Sequence, residues 1–263
     1  MSSNNQFDNI SGYHLYSEPL SVLPVKPQLL INTINQYSYC IANQDPEFKK
    51  SLQESDVLLP DGIGVVMAIR FLTGKKVEKI AGADLHQYLL HSLNESNGKC
   101  FYLGASNFTL EKIKARVNVE YPNIKVQTYS PPFKKVFSVE DNKKIFAVIN
   151  AFRPDVLFVG MTAPKQEVWA TKNKLKLNAK LICSIGAVFD FYAGTTKRPN
   201  KIWINLGMEW LGRLTSEPVR LWKRYLYFGP VFAGLILKEK LKLLLIRSAV
   251  EPIYMIKALR SVA

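Results

Sequence analysis

Asp61 stands in the run Leu59-Pro60-Asp61-Gly62-Ile63-Gly64, directly after the apolar residues Val57 and Leu58. The run reads as a buried strand end, a sharp turn, and a helix opening at Gly62 and continuing to Leu72. A carboxylate so placed lies where open parallel sheets bind their ligands, at the C-terminal end of a strand. The neighbouring helix N-terminus favours negative charge, which suits a phosphate or an ionised Asp. Asp is also a good helix cap, so the motif by itself reads either way. Other polar residues fall at predicted strand ends on the same rim: Thr33, Asn35, Asp84, the turn Ala163-Pro164-Lys165-Gln166-Glu167, and Asp190. Each has a plain structural use in a turn, a cap or a first helical turn. Gathered on one rim beside a cationic tail, they make a site suited to a substrate carrying a diphosphate.

The elements that must position these residues are legible in order. Residues 1–28 are polar and dotted with prolines, and read as an irregular lead-in. Leu29 to Asn35 is the first expected core strand, followed by a short helix over 45–54, capped by Asp45 with Pro46 at its first position. Strands are expected at 56–59, 99–104, 124–129, 155–160 and 180–185, with helices at 62–72, 81–96, 107–120, 139–152 and 164–173. Such alternation indicates an α/β fold, a Rossmann-like, mostly parallel sheet with helices on both faces. Beyond Gly194 the pattern turns basic, aromatic and helical. The division expected is therefore a catalytic domain over 1–195 and a helical C-terminal appendage over 196–263 that completes the active site and binds a membrane surface.

Composition narrows the function. The chain has 263 residues and a formal charge of +14, which implies an anionic partner. From Lys197 to Ala263 there are 13 Lys and Arg against 4 Asp and Glu, so 13 − 4 = +9 of the excess lies in the tail with Trp203, Trp210 and Trp222. Cations interleaved with aromatic rings suit a helix lying in a headgroup layer; the plainer alternative is a helical hairpin with solvated charges. The longest apolar stretch, Tyr225 to Leu237, is interrupted by Gly229-Pro230 and falls short of a span. Cys40, Cys100 and Cys183 form no CxxC and read as reduced core residues, and the polar N-terminus has no signal-peptide pattern. Dinucleotide binding is poorly supported, since Met67 breaks GxGxxG, and there is no Walker A motif, nucleophile elbow, HExxH or DxD pair. No metal and no cofactor are expected. Nucleic-acid binding is favoured by charge alone, without a helix-turn-helix or RNP-like pattern. A nucleotide-dependent oxidoreductase on the same kind of sheet is the other alternative.

Several motifs in order then resemble a known family. They are Thr33-Ile34-Asn35, Asp61-Gly62-Ile63-Gly64-Val65-Val66, Ala81-Gly82-Ala83-Asp84-Leu85, Gly160 to Glu167, Gly186-Ala187-Val188-Phe189-Asp190, and Gly194 with Lys197-Arg198-Pro199. Leu206 to Leu214, Glu217-Pro218-Val219-Arg220 and Arg224-Tyr225 complete the series. Each is weak alone; the ordered set is specific and resembles the WecG/TagA/CpsF glycosyltransferases (family 26), from about Leu29 to Tyr225. Departures are Met161-Thr162 before Ala163-Pro164, Arg198-Pro199 for a usual Arg-Ala-Pro, and Ala187-Val188 in a turn usually richer in glycine. The segment before Thr33 is irregular, and the tail after Tyr225 is longer than usual.

The resemblance implies an inverting, metal-independent transfer of an N-acetylmannosamine-type sugar (ManNAc or ManNAcA). The donor would be a UDP-sugar and the acceptor a GlcNAc-diphosphate-polyprenol, in the synthesis of a cell-surface polysaccharide or teichoic acid. A different UDP-hexose donor is the alternative. Asp61 resembles the family's base, and Arg213, Arg220 and Arg224 are the cations expected to meet the leaving diphosphate, with Thr33 beside them in the catalytic set. Asn35, Gly62, Asp84, Lys165, Gln166, Glu167 and Asp190 are expected to bind substrate. The implied location is the cytoplasmic face of the membrane, peripherally bound to anionic lipid, and exposed apolar helices in the tail are compatible with a homo-oligomer.

Overall fold

A computed structural model describes residues 7–10, 12–196, 203 and 208–260. The motif residues Lys197, Arg198, Pro199, Leu206 and Gly207 lie outside them. The sheet is built from β1 (Phe7–Ile10), β2 (Tyr13–Tyr16), β3 (Leu29–Ile34), β4 (Val57–Pro60), β5 (Lys99–Gly104), β6 (Lys125–Tyr129), β7 (Val156–Gly160) and β8 (Leu181–Ser184). Their order across the sheet is β1-β2-β4-β3-β8-β7-β5-β6. Only β1 runs antiparallel, against β2; the seven others are parallel. β4 and β7 are buried along their whole length, which is why they read as unbroken apolar runs.

The helices are α1 (Gln36–Ala42), α2 (Pro46–Gln53), α3 (Ile63–Thr73), α4 (Gly82–Glu95), α5 (Asn107–Glu120), α6 (Val139–Phe152), α7 (Lys165–Asn173) and α8 (Val188–Tyr192). The tail adds α9 (Glu209–Ser216), α10 (Pro218–Trp222), a π-helical turn (Lys223–Tyr227) and α11 (Phe228–Arg260). One core cluster gathers Leu85, Leu89, Ile113, Tyr102 and Phe158, and a second gathers Leu30, Phe101, Ile145, Leu157 and Trp169. A third joins Tyr39, Phe48, Leu58, Val65 and Ile69 to Phe228, Phe232 and Ile236 of α11. The first turns of the long tail helix are thus seated in the same core as α1 and α3. Cys40, Cys100 and Cys183 are all buried.

Two elements correct the expectations. The lead-in is not irregular throughout: Phe7–Ile10 and Tyr13–Tyr16 form a hairpin that extends the sheet beyond β4. Its strands are four residues each, too short for a clear alternation, yet Tyr13, Leu15 and Tyr16 are almost fully buried. The segment after β3, to which the sequence reading assigns no element, is the helix α1. Asn35 caps α1, its side-chain oxygen accepting from the N–H groups of Tyr37 and Ser38 while the Ser38 hydroxyl accepts from Asn35 N–H. A polar capping box of this kind looks like a loop in sequence.

The chain reverses its direction of travel across the sheet at β3, with β4 on one side and β8 on the other. The C-terminal ends of β4, β3, β8 and β7 are therefore neighbours, and the crevice above them is where a ligand of such a sheet binds.

Candidate active site

The turn after β4 sets Asp61 at one end of this crevice, beside the end of β3. Its N–H donates to the Ile34 carbonyl at 2.9 Å, tying the turn to the end of β3. Gly62 then takes φ 110°, a value that side chains disfavour, and serves as the N-cap of α3 without any side-chain cap. Asp61 is therefore not the cap of this helix, and the first N–H groups of α3 are left for a ligand. Gln36 lies against this turn: a Cβ on Gly64 would stand 2.9 Å from its side-chain oxygen. The small residues of Asp61-Gly62-Ile63-Gly64 thus let α1 and α3 meet beside the carboxylate.

Asp61 is half-buried, and burial pushes its carboxyl up to about 6, helped by the negative charge of Glu209. Lys79, Arg213 and Arg224 pull in the other direction. Lys79 is brought in by the segment before α4, where Ile80 N–H donates to the Pro60 carbonyl at 3.1 Å. Its ammonium pairs with Glu209 at 3.0 Å, so the start of α9 is fastened to the mouth of the site. Arg213, one turn further along α9, stacks over the Phe191 ring at 5.1 Å. Arg224, on the π-helical turn, stacks over Tyr37 at 4.8 Å. Burial lowers the pKa of Arg224, although an arginine stays charged at any working pH. Three cations, one ahead of α4 and two from the tail, thus act on one carboxylate.

After β7 the chain turns through a cis Ala163–Pro164 bond into α7. The Gln166 carboxamide accepts from Met161 N–H at 3.2 Å and donates to Glu167 at 2.8 Å. It also packs on Gly186 at the end of β8, where a Cβ would meet its oxygen at 2.8 Å. Glu167 is 2% exposed, and burial pushes its carboxyl up to about 7 against the opposing pull of Gln166 and Arg224. Its second oxygen and the Nε of Arg213 are buried without a hydrogen-bond partner. Two unpaired polar atoms of opposite character within the groups that face Arg224 and Asp61 are what a polar ligand would satisfy.

The remaining expected residues are distributed differently. Thr33 is half-buried at the end of β3, paired in register with Leu59. Asn35 uses its side-chain oxygen on α1. The Asp84 carboxylate accepts from Ala81 N–H at 2.9 Å and so closes the first turn of α4. Asp190, on α8, receives the Thr195 hydroxyl at 3.4 Å. Lys165 donates to the Lys134 carbonyl and lies over the Phe137 ring at 3.7 Å. Arg220 is exposed and paired with Glu217 at 2.6 Å. Lys79, Glu209, Gln36 and Tyr37 enter the site without having been singled out. Only Glu209 carried a signal, since it lies in the Leu206-to-Leu214 motif.

The profile of the Glycosyl transferase WecG/TagA/CpsF family matches residues 4–245, nearly the whole chain. The chain belongs to that family. Among curated proteins, an N-acetylglucosaminyldiphosphoundecaprenol N-acetyl-beta-D-mannosaminyltransferase of Bacillus subtilis (strain 168) is 32% identical over 211 residues, 80% of each chain. A protein of the same name from Bacillus spizizenii is 30% identical over 213 residues, 81% of this chain and 78% of the relative. This WecG/TagA/CpsF protein is accordingly a glycosyltransferase, and the crevice around Asp61 is its candidate active site. No described helix is long and apolar enough to cross a membrane.

Proposed function

We propose that the chain transfers N-acetylmannosamine from a UDP donor to a GlcNAc-diphosphate-polyprenol, with inversion and without a bound metal. The observation that carries the reading is a half-buried carboxylate with its pKa raised to about 6, within the field of Lys79, Arg213 and Arg224. The reaction class follows from the family, and the acceptor is the one in the names of the two Bacillus relatives. Asp61 takes the proton of the acceptor hydroxyl as its oxygen attacks the anomeric carbon. The bond from that carbon to the UDP oxygen breaks on the opposite face, and UDP leaves with the electron pair. Arg213, Arg224 and Lys79 meet the charge growing on the departing diphosphate. Thr33, Gln166 and Glu167 orient sugar hydroxyls. Exposed Trp203, Trp222, Leu226 and Tyr227, beside Lys223, seat the tail on anionic lipid at the inner face of the membrane.

The test is transfer of radiolabel from UDP-ManNAc to GlcNAc-diphosphate-undecaprenol in anionic vesicles containing EDTA. A labelled lipid product supports the reading. Intact UDP binding with no product would refute this donor and acceptor pair.

The pH profile gives a second check. The base must be ionised, so log kcat/KM should rise with pH below about 6 and level off above it. Glu209 raises the Asp61 pKa and also occupies the Lys79 charge at 3.0 Å. Glu209→Gln should therefore move the acid limb to lower pH. A limb that stays in place would remove Asp61 from the role of titrating base.

A further inference from the structure

Helix α3 buries Val65, Ala68, Ile69 and Leu72 against the core and turns another face to solvent. That face is apolar. Ile63, Met67 and Phe71 are 38%, 64% and 50% exposed, and their spacing of four aligns them along one side of the helix. The stripe begins two residues after Asp61. At ~1.5 Å per residue it runs about 12 Å away from the site. No acidic residue occurs in α3, while Arg70, Lys75 and Lys76 are exposed at its far end. There Lys240 of α11 donates to the Phe71 carbonyl at 2.9 Å, its ammonium 5.4 Å from the Phe71 ring. Beside it α11 exposes Leu237, Leu241 and Leu244.

Exposed apolar side chains cost solvation and ask for an occupant. A single row of three is far too small for a protein partner, which needs on the order of 800 Å² per side. It does fit a hydrocarbon chain. The origin of the row at Asp61 and the cations around it place an anionic group at the near end and an apolar one along its length.

We propose that this stripe seats the first isoprene units of the acceptor. With the sugar at Asp61 and its diphosphate over the uncapped start of α3, the chain lies along Ile63, Met67 and Phe71 toward the leucines of α11. The proposal rests on the reading of function given above and assigns it a lipid subsite. Met67 suits such a task, because an unbranched thioether adapts to a flexible chain.

The experiment compares GlcNAc-diphosphate-geraniol with GlcNAc-diphosphate-methyl as acceptors for UDP-ManNAc. Both are used as monomers, without vesicles or detergent, so that no bilayer contributes. Wild type should prefer the geranyl acceptor at least tenfold in kcat/KM. In M67S/F71S that ratio should fall toward one, and M67L/F71L, which keeps the apolar row, should restore it. A double serine variant that keeps the full preference would overturn the proposal. So would a wild type that turns over both acceptors equally, which leaves the reading of function standing. Failure of wild type on both acceptors, with transfer to GlcNAc-diphosphate-undecaprenol in vesicles intact, would overturn the subsite and leave the reading of function standing.

Discussion

Asp61→Asn should lower kcat by roughly 10³-fold, in the middle of the range that a general base contributes, while UDP binds with its wild-type affinity. The substitution keeps the shape of the turn and removes the proton acceptor, so the loss belongs to chemistry and not to donor binding. Stability should move in the opposite direction. The folded-state pKa of about 6 lies above the ordinary 3.8. For this group, stability is therefore fullest below pH 4 and falls as pH rises toward 6, because the unfolded chain gives up its proton first. At ~1.4 kcal/mol per unit, the cost above pH 6 is about 2–3 kcal/mol. Asparagine carries no charge to desolvate, so the variant should be the more stable protein at pH 7.5 and gain nothing near pH 3.5. Denaturant midpoints at those two pH values, set beside turnover, check both halves. A variant that is inactive and also destabilised at pH 7.5 would indicate a damaged turn and not a missing base.

How much of this was legible beforehand depended on the range of the forces involved. β4, β5 and β7 are buried on both faces, so each had to be a run of apolar residues, and α2 announced itself by its cap, Asp45, with Pro46 behind it. Asp61 could be found because a strand end, a proline and two glycines mark one local turn. Lys79 and Glu209 could not be paired from sequence: 130 residues separate them, and nothing in either neighbourhood encodes the other. Gln36 was hidden by the capping box of Asn35, whose polar residues look like a loop. Glu167 was expected at the site from its motif, but its burial depends on how Gly186 admits the Gln166 side chain. Lys165 and Arg220 show the converse. Their residue types suit a diphosphate, yet nearby partners, Phe137 with the Lys134 carbonyl for one and Glu217 for the other, already engage them.

Phe232→Ala should cost about 3–5 kcal/mol of stability, the range for removing a buried ring from a packed core. The appendage was expected to begin at residue 196, and the basic composition beyond it reads as surface. Phe228, Phe232 and Ile236 nonetheless repeat at intervals of four along α11 and are all under 8% exposed, in the cluster that holds Tyr39, Ile34 and Leu58. Phe232 meets Tyr39 edge-on at 5.3 Å, and Phe228 meets Tyr37 at 5.1 Å. Tyr37 in turn carries Arg224 on its ring, so the packing that anchors α11 also sets the position of a cation facing Asp61. Loosening Phe232 should therefore weaken UDP binding as well as folding, whereas Val219→Ala, at a side chain 89% exposed, should change neither beyond ~0.5 kcal/mol. Urea midpoints and UDP titrations of the two variants measure this. Equal, small effects would mean that the tail is a separable attachment. A large effect confined to Phe232 would mean that the domain and its active site are finished only by a helix that composition alone assigns to the surface.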